Sequence, residues 1–437
     1  MTIWVVLMFL TLMVALLAGY PVAFTLGAVA LLYGSISLGF EYFYLLPLQI
    51  WGVMTNFTLL AVPLFIFMGI VLDKSGLSED LLETMGLLFG RVRGGLALSV
   101  VIVGALLAAT TGVVGATVVT MGIIALPTML KRCYAPELAT GTIAAAGTLG
   151  QIIPPSIILI LLGDVIGVPV GRLFMGAVVP GLLLVLLFLI YIITTAWRKP
   201  ETAPALEPDA DQNLAGKVIF SLLPPLILVV GVLGSIFFGI ASPTESAAIG
   251  ALGAMLLAAA HRRLTLTNIM EAARLTTRLT SMVFLILIGA TAFGLVFRGM
   301  GGDTLVLEVM SNLPGGNWGF LSVSMALIFS LGFFLDFLQI CFIVVPILAP
   351  IASNMGIDLL WLAVLIAMNL QTSFLTPPFG FSLFYLKAVA PPGVKIQYIY
   401  KGIIPFVILQ LITMILLIVF PGIVSWLPDL SDRLQGL

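Results

Sequence analysis

Two stretches of this 437-residue sequence set hydrogen-bonding residues beside paired prolines in otherwise apolar surroundings: GTLGQIIPPSI, 147–157, and NLQTSFLTPPFG, 369–380. Proline has no N–H to donate, and its ring collides with the preceding helical turn. Pro154 with Pro155, and Pro377 with Pro378, should therefore interrupt a helix and free main-chain carbonyls upstream. Freed carbonyls at the end of a half-helix suit a dehydrated cation. The N-terminus of the next half-helix, near Ser156, suits an anion. A single proline pair is also what a mechanical kink would need. Two further polar stretches lie upstream of the breaks: AATTGVVGAT, 108–117, and GFFLDFLQI, 332–340. Pairing each with its break gives two expected binding sites. Thr110, Thr111 and Gly112 with Thr148, Gly150 and Gln151 form the first. Asp336 and Gln339 with Asn369, Gln371, Thr372 and Thr376 form the second. Asp336 is the carboxylate set deepest in an apolar run, and an acid at that depth is a functional residue by default. Its alternative is a cap at a loop tip in water.

The elements that must position these residues follow from composition. The chain is 61% hydrophobic and 8% charged, against about 25% charged residues in a soluble protein. It is expected to be an all-α polytopic membrane protein. A transmembrane β-barrel is excluded because the apolar residues run unbroken and do not alternate. Windows of about 20 apolar residues place spans at 2–18, 21–38, 57–72, 138–168, 174–197, 218–240, 243–260, 280–297, 359–389 and 403–427. Two longer runs, 96–130 and 320–352, have the polar stretches in their middles and are read as re-entrant hairpins. The first 19 residues lack a basic leader region and continue into another apolar run, so they are read as a retained first helix.

The breaks recur because the sequence does. Adding 222 or 223 carries Pro21 to Pro243, Pro127 to Pro350, and Pro154 and Pro155 to Pro377 and Pro378. ALPTML at 125–130 answers LAPIAS at 348–353. Each half then holds five crossings and one hairpin. Five is odd, so the second copy must sit upside down: two inverted-topology repeats. With the N-terminus outside, every basic residue but Arg172, Arg298 and Arg433 faces the cytoplasm, as the positive-inside rule asks. The expected division is scaffold spans over 1–93 and 218–318, and hairpin, broken helix and following span over 94–197 and 319–437. Between the halves, 198–217 reads as a flexible cytoplasmic linker, rich in Pro, Ala and acids.

Other polar residues have plainer readings. Glu245, after Ser242–Pro243–Thr244, is expected to cap a helix N-terminus. Asp164 and Arg172 border an external loop and are expected to be solvated. Arg298 could steer an anion on the outer face or simply snorkel. Residues 266–279 read as an amphipathic helix along the inner surface. His261 reads as a loop residue, and Cys133 and Cys341 as packing residues. One histidine and two isolated cysteines argue against a haem site or a zinc protease site. An intramembrane enzyme would need an acid–base or metal constellation that the sequence lacks, and a channel would need polar residues along a continuous path.

Taken together, GTLGQIIPPSI, NLQTSFLTPPFG, YPVAFTLG at 20–27 and SPTESAAIGA at 242–251 resemble the large membrane subunit of tripartite ATP-independent periplasmic (TRAP) transporters. The resemblance spans the whole chain. It implies a sodium-driven importer of small organic acids in the bacterial inner membrane, with an elevator-type transport domain. It implies two partners, a periplasmic substrate-binding protein and a separate small membrane subunit of four helices, and no nucleic acid. It implies no cofactor beyond Na+, bound at Thr110, Gly112, Thr148 and Gly150 and again at Asp336, Thr372 and Thr376. The first hairpin tip lacks the serines that sialic-acid members tend to have. GVVGATVVTMG is similar to the branch linked to α-keto and hydroxy monocarboxylates, with C4-dicarboxylates the other expectation. A stand-alone ion-coupled carboxylate transporter of the same superfamily is the alternative.

Overall fold

The computed structural model describes residues 2–111, 114–205, 214–378 and 380–435, and every regular element among them is a helix. Chain order is α1 (Thr2–Leu17), α2 (Val22–Ser37), α3 (Leu46–Met54), α4 (Ala61–Lys74), α5 (Leu77–Phe89), α6 (Gly95–Thr111), α7 (Val114–Lys131), α8 (Pro136–Thr148), α9 (Ile157–Ile166) and α10 (Val170–Arg198). Then follow α11 (Leu214–Phe237), α12 (Pro243–Ala260), α13 (Leu266–Gly299), α14 (Gly302–Ser311), α15 (Asn317–Leu331), α16 (Phe337–Gln339), α17 (Val345–Asn354), α18 (Leu359–Leu375), α19 (Phe381–Val389), α20 (Ile396–Val419) and α21 (Gly422–Gln435). A wider π turn, Ile340–Val344, joins α16 to α17 without a break.

The element order runs twice. α1, α2 and α5 through α10 reappear as α11, α12, α14, α15, α16–α17, α18, α19 and α20 at the spacing of the proline register. Packing repeats with it: α2 lies on α13, and correspondingly α12 lies on α4. The halves differ at one place. Residues 40–74 bend by 54° near Asn56, whereas their counterpart α13 is a single 34-residue helix. Residues 266–279 and 280–297 therefore belong to one helix and not to a surface helix followed by a span. No proline or glycine lies between Leu266 and Gly289 to part them, and Thr265 caps the start through the Asn268 N–H.

Seven helices among the described residues are long and apolar enough to cross a bilayer, eight if the bent pair counts as one. The sequence expects ten crossings. Length alone passes over α1 and α2, 16 residues each, and over both interrupted pairs, while it admits one arm of each hairpin. The predicted span 403–427 is two helices, α20 and α21, parted at Phe420–Pro421. α5 has no counterpart among the predicted spans, yet Leu77, Leu81, Leu82 and Met85 give it a buried stripe at helical spacing.

The predicted linker is tied to the body at its start. Its Thr202 and Ala203 carbonyls accept the Ala135 and Gly94 N–H groups at 2.9 Å, and Ala203 is fully buried. These are the entry points of α8 and of the first hairpin, whose first-turn N–H groups need acceptors. At the other end α11 begins at Leu214, inside the predicted linker. Residues 206–213 lie outside the described residues.

α8 crosses α20 at close range. A Cβ on Gly141 would overlap the Gly402 carbonyl, and one on Gly402 would overlap the Glu137 carbonyl. Backbone meets backbone there, the close approach that small residues permit between helices in a membrane.

Candidate functional site

Both proline pairs interrupt their segments as expected. α8 stops at Thr148, tightens into a single turn over Leu149–Gln151, and the chain resumes as α9 at Ile157. α18 runs to Leu375 and α19 starts at Phe381. The Pro154–Pro155 and Pro377–Pro378 peptide bonds are both cis. Pro154 has no N–H for the Gly150 carbonyl four residues back, and Pro377 none for Ser373. The Gln151 carbonyl receives the Ser156 hydroxyl instead, at 3.0 Å. Asn369, Gln371 and Thr372 lie on the intact helix before the second break, and only Thr376 is in the break itself.

Each hairpin packs on the break of its own half. The last turn of α6 lies at Gly150, where an added Cβ would touch Ala108 Cα at 3.5 Å. α15 approaches Ser373 so closely through Gly332 that a Cβ there would overlap its hydroxyl. Asn369 Nδ2 donates to the Met325 carbonyl at 2.7 Å, pinning α18 to α15. Each hairpin also touches the half-helix of the other half: α7 lies on α19, and α17 on α9. Tyr385 on α19 sits against Gly115 at the first hairpin and within electrostatic reach of Asp336 on the second.

The predicted ligands distribute unevenly over this frame. Thr148 and Gln371, assigned to different sites from the sequence, are partners: Gln371 Nε2 donates to Thr148 Oγ1 at 3.4 Å. Gln410 on α20, which the sequence reading passes over, donates to the same oxygen at 3.4 Å. Thr148, Gln151, Gln371 and Gln410 are fully buried. Thr372 and Thr376 hydroxyls donate to the Met368 and Thr372 carbonyls at 2.8 and 2.7 Å, leaving their lone pairs free to accept. Asp336 caps α16, its Oδ1 accepting the Phe337 N–H at 2.8 Å. Among the described residues no hydrogen bond joins Asp336 to Thr372 or Thr376. Gln339 is half-buried on the same short helix. Gly112 lies outside the described residues, and the backbones of Thr110 and Thr111 end α6.

Phe337, Phe374 and Phe381 form a ring-to-ring row, 6.2 and then 5.1 Å between centroids, joining the second hairpin to both sides of its break. Phe374 and Phe381 are seven residues apart, about two turns of an unbroken helix, and it is the break at the prolines that folds their rings together.

The remaining polar predictions sort as follows. Ser242 and Glu245 form the expected capping box, with Glu245 Oε2 taking the Ser242 N–H at 2.7 Å. Asp164 is not simply solvated: it accepts from Asn56 Nδ2 at 2.5 Å. Arg172 pairs with Asp432 of α21 at 3.0 Å. Both thiols are free; Cys341 is buried, whereas Cys133 is exposed, because it falls in the turn after α7 and not on a packed face. Asp164 and Arg298 line a cavity of about 510 Å³ between α13 and the second hairpin, with Thr291, Phe297 and Pro346. No group of histidine, cysteine and carboxylates among the described residues could hold a metal ion.

A helical membrane body in which two interrupted helices face each other, each backed by a hairpin, is the architecture of a transporter. The model of the family described as "Tripartite ATP-independent periplasmic transporter, DctM component" matches residues 9–423, and the chain belongs to that family. It is similar to the C4-dicarboxylate TRAP transporter large permease protein DctM of Pseudomonas aeruginosa, 30% identical over 88% of this chain and 89% of the relative. It is similar to the sialic acid TRAP transporter large permease protein SiaM of Vibrio cholerae, 30% identical over 95% and 96%. The ectoine TRAP transporter large permease protein TeaC of Halomonas elongata is 30% identical over 86% and 87%. In fold it matches the YdaH transporter of Alcanivorax borkumensis, whose crystal structure has an unusual topology, at a TM-score of 0.64 and 15% identity over 88% and 89% of the two chains. The chain is a multi-pass large permease subunit of ATP-independent transport and not an enzyme.

Proposed function

We propose that the chain is the sodium-coupled permease of a tripartite importer for small organic acids. It works in the bacterial inner membrane with its N-terminus periplasmic, beside a small four-helix subunit and a periplasmic substrate-binding protein. Na+ binds at the hairpin tips and helix breaks. The first site draws on residues 110–112, Thr148 and Gly150, the second on Asp336, Thr372 and Thr376. The two halves are inverted copies. The hairpins, broken helices, α10 and α20 move as one elevator body against a scaffold built on α2, α4, α12 and α13.

The observation that carries this reading is the contact of Thr148 with Gln371, which sets the two breaks face to face. Proline withholds a helical donor there, and irregular main chain at membrane depth is tolerated where protein buries it or where it lines a water-filled cavity. The substrate class rests on the relatives' names, which span C4-dicarboxylates, sialic acid and ectoine. Small mono- and dicarboxylates are the expected cargo here, since the first hairpin tip is threonine and glycine.

Uptake of labelled lactate, pyruvate and succinate into proteoliposomes with both partners tests the proposal. An inward Na+ gradient should drive accumulation that choline does not support. Equal uptake in the two salts would remove sodium coupling. Uptake that needs no binding protein would favour the stand-alone alternative.

A further inference from the structure

Gln410 belongs to neither a hairpin nor a broken helix, yet it reaches the contact between the halves. The Gly141–Gly402 crossing holds α20 against α8 and fixes Gln410 about two turns further on. There Thr148 Oγ1 donates to the Ala145 carbonyl at 2.8 Å and accepts from Gln371 and Gln410. A hydroxyl oxygen offers two lone pairs. Both are engaged, so while the two glutamines hold it Thr148 serves the first proposed site through its main-chain carbonyl and not through Oγ1.

The amide oxygens are in the opposite condition. Gln151, Gln371 and Gln410 are fully buried, and among the described residues the Oε1 of each has no hydrogen-bond partner; nor has Gln151 Nε2. Burying an amide carbonyl without a partner is costly, and an apolar side chain of similar size would avoid the cost. Gln371 and Gln410 meet on one oxygen, and Gln151 follows Thr148 by one helical turn. Amide oxygens are neutral, hard ligands, suited to a hard cation that must shed its water.

We propose that Gln410 completes an axial site for a monovalent cation, Na+, in which the side-chain oxygens of Gln151, Gln371 and Gln410 are the ligands and the Thr148 hydroxyl positions two of them. The inference rests on the sodium-coupled reading and adds a site shared by both halves and by α20. An ion there ties the first break to the second, so neither moves alone. A water entering with the ion accepts from Gln151 Nε2.

The test is equilibrium binding of radioactive Na+ to the full chain in lipid nanodiscs, alongside thermal unfolding in NaCl and in choline chloride. Gln410→Leu should lose a bound ion, or bind it about tenfold more weakly, as expected when a ligand to a charge is removed. Its melting temperature in choline should equal or exceed that of the native chain, since an orphaned polar group has gone. Gln410→Glu keeps an oxygen in place and should retain the ion. An unchanged sodium isotherm in Gln410→Leu would overturn the inference and leave the hairpin-tip sites standing. A native chain that binds no sodium would overturn the sodium-coupled reading itself.

Discussion

Thr148 and Gln371 stand 223 residues apart, at equivalent positions in the two halves, and they hydrogen-bond to each other at 3.4 Å. Thr148 ends the helix before the first break, and Gln371 lies near the end of the helix before the second. The two helix breaks are therefore parts of one central arrangement.

Thr148 should tolerate serine and not valine. Valine keeps the volume and removes the acceptor of both glutamine amides, stranding two more buried N–H donors. Sodium titrations of uptake should show half-saturation raised about tenfold for Thr148→Val, and little change for Thr148→Ser. A normal titration for the valine variant would take Thr148 out of the ion-binding machinery.

Asp336 has a capping role and a proposed ion-binding role, and substitution can separate them. As the N-cap of α16 it needs only an accepting oxygen, which asparagine supplies nearly as well. As an ion ligand it needs its charge. Asp336→Asn should therefore unfold at the native temperature and yet lose sodium-dependent uptake. Uptake preserved in Asp336→Asn but lost in Asp336→Ala would reduce the residue to a cap.

How much of this was legible beforehand depends on the kind of signal. Proline leaves its mark locally, so the breaks at Pro154 and Pro377 and the doubled register are read directly from sequence. The capping box at Ser242 and Glu245 is equally local. Gln410 gives no local sign: it is one of a few polar residues in an apolar helix, and its meaning comes from the Gly141–Gly402 crossing and from Thr148, 262 residues away in the chain. The contact between Thr148 and Gln371 was hidden for the same reason. Each had been grouped with its own hairpin, and only the packing of α18 on the first break brings them together. α5 was legible from its 3.6-residue stripe, but a search tuned to long apolar runs passes over a helix whose outer face is acidic.

The Gly141–Gly402 crossing has a sharp expected cost. Valine at 402 must push the Glu137 carbonyl away, and the helices cannot separate without opening the fully buried face of α8. Destabilisation of about 3 kcal/mol is expected, at the upper end for overpacking. It would be seen as an early melt in detergent and poor recovery from membranes. Gly231→Ala on α11 is the control: no atom lies within 4 Å of an added Cβ, and a helical glycine gains from the change. Equal melting of the two variants would mean that the helices do not meet at Gly402.

The two native cysteines make the orientation measurable without engineering. Cys133 is exposed in the turn that follows α7, beside Lys131 and Arg132; Cys341 is buried inside the second hairpin. Basic residues concentrate on the cytoplasmic side of a membrane protein, so this turn should face inward. A bulky, charged maleimide should label inside-out vesicles and leave right-side-out spheroplasts unlabelled, with Cys133→Ser abolishing the signal. Cys341→Ser should change nothing, because its thiol is out of reach in the folded chain. Labelling from the outside would turn the first hairpin over. The second would turn with it, since the two breaks meet at one contact, and the periplasmic partner would then face the wrong ends of both.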